Sequence, residues 1–486
     1  MRAIRRIALI TLLSATGTLA ARAQDNVDRC NSSDPDTIIS GCTAVIQAGG
    51  QPTDNLKIAY TNLGAAYAEK DDNDLAIQNF TQAINLDANY AKPFGGRCIS
   101  YFNKKDYDDA IQDCTQAIRL DPSLDIDFLY RGKAYLEKED LDHAIQDLDQ
   151  AIQLDPNDAD AFVNRGNAYL EKQDYDRSIQ DTSRAVQLEP DNYLAYILRG
   201  TNYLIKDDSD HAIADFTQAI RVEPREEGGY SMRGKAYMAE NNYPLAIQDF
   251  NQALQLSPGD VDDLRDRGSA YMDHGDDDLA IQDLDQAIAT DPKDSGEFNN
   301  RGLAYVGEKD YARALQDYDQ AISIDPKDSD AYTNRGFDHF FLGQFAAAQS
   351  DLAIAVADSP TNRYRVLWLY LAASRAGQNA QADLETNAAK LNLTNWPGPV
   401  VQLYLGKITS AEFLTAATIS DAKKNREQHC EAYFYLGEQA LIAGRRIEAR
   451  RLFQQSIDTG VTNFDEYDGA QTELKRLPPT TAAGSH

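Results

Sequence analysis

Arginine recurs every 34 residues through the middle of this chain, and a row of guanidinium groups could bind anions. The row comprises Arg97, Arg131, Arg165, Arg199, Arg233, Arg267, Arg301 and Arg335. An aspartate stands sixteen residues after each arginine, and where Leu63 replaces the arginine, Asn79 replaces the aspartate. Because the two positions change together, we predict structural ion pairs instead of an anion site. The predicted pairs include Arg131 with Asp147, Arg165 with Asp181, and Arg199 with Asp215.

Other reactive residues form no recognisable catalytic arrangement. The sequence has no glycine-rich phosphate loop, no GxSxG and no HExxH motif, and its six histidines are scattered. Acidic runs such as Asp276 to Asp278 lack the alternating spacing of a calcium loop. We therefore expect no enzymatic activity, no metal site and no cofactor.

A repeated segment of 34 residues must position these side chains. Counting each repeat from 1, repeats begin at residues 57, 91, 125, 159, 193, 227, 261, 295 and 329. Apolar or small residues at positions 4, 8 and 11, and again at 20, 24 and 27, predict two antiparallel helices per repeat. Position 8 is glycine in eight of the nine repeats, so the two helices can approach closely. One repeat cannot bury its apolar stripe alone, whereas stacked repeats can.

This spacing resembles the tetratricopeptide repeat (TPR) family, whose signature has the same period. The match covers residues 57–362, more loosely 23–56 and 363–396, and again 430–463. The resemblance implies an all-α, right-handed superhelical solenoid of antiparallel helix pairs, here with a divergent helical C-terminal part. It also implies an inner groove, lined by the first helix of each repeat, that holds peptides or proteins.

Side chains that vary between repeats are the candidates for partner binding. Positions 2, 6, 9 and 13 of the first helix point away from the second helix and into the implied groove. Asparagines at position 6 resemble those with which some TPR proteins hold a peptide backbone or terminal carboxylate, although the accompanying basic residues are mostly absent. The apolar candidates could instead pack against a neighbouring helix or the C-terminal part. The predicted groove residues are Asn164, Asn167, Leu194, Leu198, Ile205, Asn300, Asn334, Phe337 and Phe341.

The N-terminus has the pattern of a secretory signal. Three arginines precede an apolar run from Ile7 to Leu13, and Ala21 and Ala23 supply the small residues that a signal peptidase reads. We predict cleavage after residue 23 and export to the periplasm. No lipid anchor is expected, because the cleavage point lacks a cysteine, and the apolar run is too short for a membrane span.

Export makes the cysteines candidates for disulfides, which persist outside the cytosol. In the repeat frame Cys30 and Cys42 fall at positions 8 and 20, where two helices touch. Cys98 and Cys114 fall at positions 8 and 24. These positions also face each other across the two helices, but position 24 lies one helical turn after position 20. We predict both bonds, with buried free thiols as the alternative. Cys430 is left over, and no CxxC pair or zinc-ligand spacing is present.

The sequence changes character after Pro360. The resembling segments are Tyr364 to Ala372, Tyr404 to Gly406 after Trp396, Phe434 to Gly437, and Val461 to Phe464. They resemble the C-terminal region of the periplasmic TPR adaptors called new lipoprotein I. This resemblance implies an adaptor that docks an envelope protease and cell-wall hydrolases. The chain departs from that family by lacking the lipid-carrying cysteine and by having more repeats; the alternative is that the tail is only a C-terminal cap.

The charge balance of 47 Lys and Arg against 77 Asp and Glu gives a net charge of −30. Such a surface repels nucleic acid and anionic lipid, and it suits a partner with a basic face. Simple solubility is the alternative reason for the charge. We expect a periplasmic TPR adaptor for protein or peptide partners, possessing no membrane span. The alternative is a non-catalytic scaffold of an envelope or polysaccharide-export complex, and the oligomeric state stays open.

These patterns divide the chain into seven segments. They are a signal peptide at 1–23, a divergent N-terminal helical segment at 24–56, nine TPR repeats at 57–362, a divergent TPR-like repeat at 363–396, an irregular or short helical insert at 397–427, a C-terminal repeat with a capping helix at 428–477, and a disordered tail at 478–486.

Overall fold

The computed structural model describes residues 18–462 and 464–477, and every regular element among them is an α-helix. The predicted tail and most of the predicted signal peptide lie outside this range. The all-α fold of antiparallel helix pairs, predicted from the repeat spacing, is confirmed. The described chain divides into two compact units, an N-terminal unit up to Leu256 and a C-terminal unit from Ser257.

The N-terminal unit consists of helices packed in sequence order, each against the next. They are α1 (Thr18–Cys30), α2 (Pro35–Gln47), α3 (Thr53–Glu69), α4 (Asn73–Leu86), α5 (Ala91–Asn103), α6 (Tyr107–Leu120), α7 (Asp125–Glu137), α8 (Leu141–Leu154), α9 (Ala159–Glu171), α10 (Tyr175–Leu188), α11 (Tyr193–Ile205), α12 (Ser209–Val222), α13 (Glu227–Ala239) and α14 (Tyr243–Leu256). Helix α1 spans the predicted cleavage point.

The C-terminal unit begins with three further regular helix pairs and continues into less regular ones. Its helices are α15 (Val261–His274), α16 (Asp277–Thr290), α17 (Ser295–Gly307), α18 (Tyr311–Ile324), α19 (Ser329–Phe341), α20 (Phe345–Asp358), α21 (Arg363–Arg375), α22 (Gln381–Ala388), α23 (Gly398–Tyr404), α24 (Ser410–Ala416), α25 (Ala422–Ile442), α26 (Arg446–Asp458) and α27 (Asp465–Arg476). None of the described helices combines the length and apolarity that crossing a bilayer requires.

Local sequence sets the ends of the helices within a repeat. The residue at position 15 adopts a left-handed conformation, with φ of 60° at both Glu139 and Gln173. The aspartate after it caps the second helix: Asp140 accepts a hydrogen bond from the backbone N–H of His143 at 3.3 Å. The second helix ends where the chain becomes extended before a proline, as at Asp121 with φ −145° and ψ 94°.

Close packing between the two helices of a repeat depends on glycine at position 8. A Cβ atom on Gly200 would lie 2.6 Å from the ring of Phe216, and one on Gly302 would lie 2.5 Å from the ring of Tyr318. The large side chain at position 24 therefore lies directly against the backbone of the first helix. Alanines at positions 20 and 27, such as Ala212, are fully buried in the same contact.

The C-terminal unit has an aromatic core around Trp368. This side chain on α21 is 1% exposed. Its ring centroid lies 5.0 Å from that of Phe340 on α19 and 5.5 Å from that of Phe434 on α25. The core therefore joins the last regular repeat to the divergent helices that follow it, and these helices form a packed structure of their own.

One buried carboxyl group in the N-terminal unit, that of Asp127, lacks a hydrogen-bond partner among the described residues. Asp127 on α7 is 1% exposed, and neither of its oxygens has a hydrogen-bond partner among the described residues. Burial, followed by the charges of Asp121 and Asp125, raises the pKa of Asp127 to about 7. Ala161 and Ala195 stand at the same position of the next two repeats and are fully buried.

We expect Asp127→Ala to stabilise the protein at about pH 8, by on the order of 2 to 4 kcal/mol. The folded state holds the pKa above its unfolded value of about 3.9, so the stability difference grows as pH rises from about 4 to about 7. Thermal unfolding followed by circular dichroism at about pH 5 and pH 8 measures it. The exposed Asp160→Ala is the control, and an equal effect of Asp127→Ala at both pH values would contradict the prediction.

Candidate functional site

The arginine row forms bidentate ion pairs within each repeat. Arg131 donates to Asp147 from Nε and Nη2 at 2.7 Å each, and Arg165 with Asp181 and Arg199 with Asp215 have the same distances. The five other pairs lie at 2.6–2.9 Å. The aspartates are buried and the arginines are about one-fifth exposed.

The third guanidinium nitrogen of these arginines links neighbouring repeats. Nη1 of Arg131 donates to Thr115 at 3.0 Å, and Nη1 of Arg165 donates to Asp149 at 2.6 Å. Both acceptors stand at position 25 of the preceding repeat. Each guanidinium group is thus engaged by internal partners on two sides, which leaves it unsuited to anion binding.

A second set of ion pairs, between lysine and aspartate, escaped the sequence analysis. Lysine at position 14 pairs with aspartate at position 18 of the preceding repeat, thirty residues earlier in the chain. The pairs are Lys104 with Asp74, Lys138 with Asp108, Lys172 with Asp142, and Lys206 with Asp176. Lysine at position 14 and aspartate at position 18 recur in successive repeats, and this pattern could have predicted the pairs from the sequence. Because these pairs are exposed, their contribution to stability is small.

Two disulfides lie near the N-terminus of the structure. Cys30 on α1 is bonded to Cys42 on α2, and Cys98 on α5 is bonded to Cys114 on α6. Each bond joins the two helices of one pair. Cys430 is a buried free thiol whose Sγ lies 3.4 Å from the hydroxyl oxygen of Ser456, and burial raises its pKa.

The predicted groove asparagines of the N-terminal unit lie in one pocket. This pocket, of about 340 Å³, is lined by Lys133, Leu136, Glu137, Glu139, Asn164, Asn167 and Glu171. Asn164 donates to the backbone carbonyl of Asp160 at 2.6 Å, and Asn167 donates to Glu171 at 3.3 Å. With three glutamates against one lysine, the pocket is acidic and does not suit a terminal carboxylate.

Lys133 in this pocket lies over aromatic rings instead of facing a carboxylate. Its ammonium nitrogen is 5.2 Å from the ring centre of Phe102 and 4.9 Å from that of Tyr130. Burial lowers the pKa of Lys133. Burial, and then the charge of Glu139, raises the pKa of Glu171. Lys133 is half-buried whereas Glu171 is exposed, so the lysine is the more desolvated of the two.

The predicted apolar anchors on α11 form a stripe. Leu194 is 59% exposed and Ile205 is 47% exposed, while Leu198 between them is half-buried against the core that contains Phe162. At about 100° per residue the three side chains fall within roughly 40° around the helix, along about 16 Å of its length. The two exposed side chains are therefore available to a partner, whereas Leu198 also belongs to the core.

Predicted groove residues in the C-terminal unit differ in exposure. Asn300 is half-buried on α17, and Asn334 on α19 donates to Asn299 at 3.0 Å. Phe337 is half-buried, with its ring centroid 4.9 Å from that of Trp368. It lines a pocket of this unit.

The prediction that Phe341 is a groove anchor is wrong. Its side chain is only 8% exposed, and its ring centroid lies 5.6 Å from that of Trp368 in an edge-on contact. The reason is that α21 carries an indole where the regular repeats carry smaller side chains, and α25 and α27 cover the remaining surface through Phe434 and Gly469. Phe341 therefore packs in the core, the alternative given above for the apolar candidates.

Two clusters of buried acids link α25 and α27 in the C-terminal unit, and sequence reasoning missed both. In the first, Arg375 on α21 donates to Glu438 at 2.8 Å and 3.0 Å and to Glu473 at 3.0 Å. In the second, Glu431 and Glu466 line a pocket of about 300 Å³ with Phe337, Tyr364, Trp368, Phe464 and Asp465. The described part of the chain contains no group of three or more metal-ligating side chains placed to hold an ion.

Comparison with known families places the chain in a class of repeat proteins. A profile described as TPR repeat matches residues 132–173, and profiles described as tetratricopeptide repeat match residues 58–90, 91–124, 159–192, 197–261, 234–297 and 297–328. These segments cover more than half of the sequence, and the chain belongs to the TPR family.

Among curated proteins, the chain is similar to a lipoprotein NlpI homolog of Haemophilus influenzae, with 40% identity over 121 residues. That match covers 24% of this chain, and the chain spans only 38% of the relative's length. Solved structures with some likeness include YrrB, described as a TPR protein with an unusual peptide-binding site, at 23% identity and a TM-score of 0.34 over 38% of this chain and 95% of that one. A TPR protein from Parabacteroides merdae has 18% identity and a TM-score of 0.43 over 51% of this chain and 98% of its own.

Proposed function

We propose that this chain is a non-catalytic adaptor of the periplasm that binds segments of partner proteins along the first helices of its N-terminal unit. The observation that carries the proposal is the stripe on α11, where Leu194 and Ile205 expose apolar surface. The equivalent positions of the preceding repeat hold Asp160 and Glu171. Exposed apolar side chains among polar neighbours are typical of contact sites.

The charge around the stripe indicates the kind of partner. The adjoining pocket at Asn164 and Asn167 has three glutamates and one lysine, and the whole chain carries a net charge of −30. A partner segment with apolar side chains and basic neighbours would match both features. The N-terminal signal pattern and the similarity to a protein named as a lipoprotein support a place in the cell envelope.

We expect Leu194→Asp combined with Ile205→Asp to reduce capture of envelope proteins by the purified chain about tenfold, because two charges would enter a desolvated contact. Pull-down from an envelope extract with quantitative mass spectrometry measures the effect. Leu154→Asp is the control, at a leucine on a second helix that is 37% exposed, against 59% for Leu194 and 47% for Ile205. Unchanged capture by the double variant, with a protease or hydrolase still recovered, would place the contact elsewhere.

A passive scaffold for an envelope complex makes a different prediction. Such a chain would associate with itself on a sizing column and would recover no protease or hydrolase from the extract. The two measurements together therefore separate the adaptor from the scaffold.

A further inference from the structure

The pocket of the C-terminal unit combines aromatic walls with buried acids. Its lining includes Phe337, Tyr364 and Trp368 together with Glu431 and Glu466. Glu431 is 3% exposed and Glu466 is 5% exposed, and the pocket that they help to line measures about 300 Å³. A space of this size admits one long side chain.

Tyrosine hydroxyl groups orient the two glutamates. Tyr364 donates to Oε2 of Glu431 at 3.0 Å, and Tyr435 donates to Oε1 of Glu466 at 2.6 Å. These bonds fix each carboxyl group through one of its oxygens. Trp396 also interacts with Glu431 and lowers the pKa of that group. Each carboxylate oxygen has two lone pairs, so both glutamates can still accept a hydrogen bond from a ligand.

No positive charge balances these acids. The lining residues that the structure describes include no lysine, arginine or histidine. Burial is the main cause that raises the pKa of Glu431 to about 7 and the pKa of Glu466 to about 8, and the charge of Glu431 adds to the shift of Glu466. Above these pKa values both groups are ionised, and two buried carboxylates without a cation are costly.

The same three helices show, two turns further on, how such a pair is neutralised. Seven residues after Glu431 stands Glu438, seven after Glu466 stands Glu473, and seven after Trp368 stands Arg375. Seven residues are about two helical turns. We call Trp368, Glu431 and Glu466 the first level, and Arg375, Glu438 and Glu473, which stand in the same arrangement two turns later, the second level.

At the second level the guanidinium group of Arg375 lies between the two glutamates. It also lies 4.4 Å from the ring centre of Phe345. At the first level the glutamates and aromatic rings are present, and Trp368 replaces the arginine. The first level thus has the surroundings of a guanidinium site without the guanidinium group.

We propose that this pocket receives the guanidinium group of an arginine side chain presented by a partner protein. The inference rests on the proposed protein-binding function and adds a second contact point, on the C-terminal unit. Arginine fits better than lysine, because a planar guanidinium can bridge two carboxylates and stack on an aromatic face at once. Asp465, exposed at the rim, would attract the positive charge toward the pocket.

Titration of the wild-type chain with a short peptide tests the inference directly. The probe is an acetylated and amidated Gly-Arg-Gly, and its counterpart has citrulline, a neutral isostere, in place of arginine. Tryptophan fluorescence, to which Trp368 in the pocket wall contributes, reports binding. We expect a dissociation constant on the order of 1 mM for the arginine peptide. The citrulline peptide should bind at least about tenfold more weakly. Equal binding of the two peptides would overturn the inference.

Variants locate the binding. Glu431→Gln and Glu466→Gln keep the shape of each side chain. Each is expected to weaken binding of the arginine peptide about tenfold. Glu385→Gln, an exposed glutamate on α22 that lines neither pocket, is the control and should have no effect. Glu171→Gln tests the acidic pocket of the N-terminal unit as the alternative binding place. Circular dichroism checks that each variant folds, and the citrulline comparison needs no variant at all. Binding that Glu171→Gln weakens and Glu466→Gln does not would overturn the assignment to this pocket.

Binding should also depend on pH. Ionisation of Glu431 and Glu466 between about pH 6 and pH 8.5 should strengthen binding of the arginine peptide and leave the citrulline peptide unaffected. A flat profile for the arginine peptide would contradict the inference. The charged and titratable groups around the pocket include Lys309, Tyr311 and Tyr318 on and before α18, Asp338 on α19, Arg363 and Tyr364 on α21, Tyr404 on α23, Glu427, Cys430, Glu431 and Tyr435 on α25, and Asp465, Glu466 and Asp468 on α27.

Failure of this inference and failure of the proposed function are distinguishable. If the Leu194 and Ile205 double variant loses capture of envelope proteins while Glu466→Gln keeps it, the result supports the adaptor function and contradicts the arginine site. Self-association of the wild-type chain that Glu466→Gln abolishes would show that a second copy fills the pocket, which would also overturn the assignment to a different protein.

Discussion

Arg165→Leu is expected to destabilise the repeats around it by about 3 kcal/mol, because it leaves the buried Asp181 without its bidentate partner. The same change removes the bond to Asp149 of the preceding repeat, so the loss should extend across the boundary between two repeats. Since a repeat array loses structure locally, hydrogen exchange of the amides in α8, α9 and α10 is the best measurement. Thermal unfolding followed by circular dichroism gives the change in the unfolding temperature of the whole chain.

The chain itself supplies the control for this experiment. The repeat that begins at residue 57 has Leu63 and Asn79 where the others have arginine and aspartate. The double variant Arg165→Leu with Asp181→Asn reproduces that pair and should recover most of the lost stability, because no buried charge remains. A double variant as unstable as Arg165→Leu alone would mean that the ion pair is not the source of the loss.

Arg375→Leu is expected to destabilise the C-terminal unit by about 3 to 5 kcal/mol near pH 8, since it leaves two buried glutamates without their shared cation. Glu438 is fully buried, and burial raises its pKa to about 7 against the attraction of Arg375. Loss of the arginine should raise that pKa further. For a carboxyl group whose pKa is raised by folding, stability is lost as pH rises from the unfolded pKa through the folded one.

The damage from Arg375→Leu should therefore be small near pH 5 and large near pH 8, as thermal unfolding at the two pH values can show. Arg445→Leu is the matched control, because Arg445 is 52% exposed and pairs only with the nearby Glu448. Its effect should stay within about 0.5 kcal/mol at either pH. A pH-independent loss in Arg375→Leu would indicate that packing of the arginine against Phe345, and not its charge, stabilises this unit.

The repeats allowed the helix pairs, their ion pairs and the direction of their side chains to be predicted from the sequence. A column of arginine that changes together with a column of aspartate indicated which side chains pair, and glycine at position 8 indicated where two helices approach. Asn164 and Asn167 were placed on the face that holds a pocket because the helical period fixes the direction of each side chain. Such inferences need only local geometry and copies to compare.

The sequence by itself thus determined the helix pairs, their close contacts and the periodic ion pairs, since each depends on spacings within about 34 residues. Only the tertiary structure decided whether Phe341 is exposed: it is buried because Trp368, from the first helix of the next pair, packs on it. It also decided the acid pairs of the C-terminal unit, where Glu431 meets Glu466 and Glu438 meets Glu473 across 35 residues without a repeat to copy. Long-range contacts outside the repeats depend on how divergent helices pack, and no local period encodes that packing.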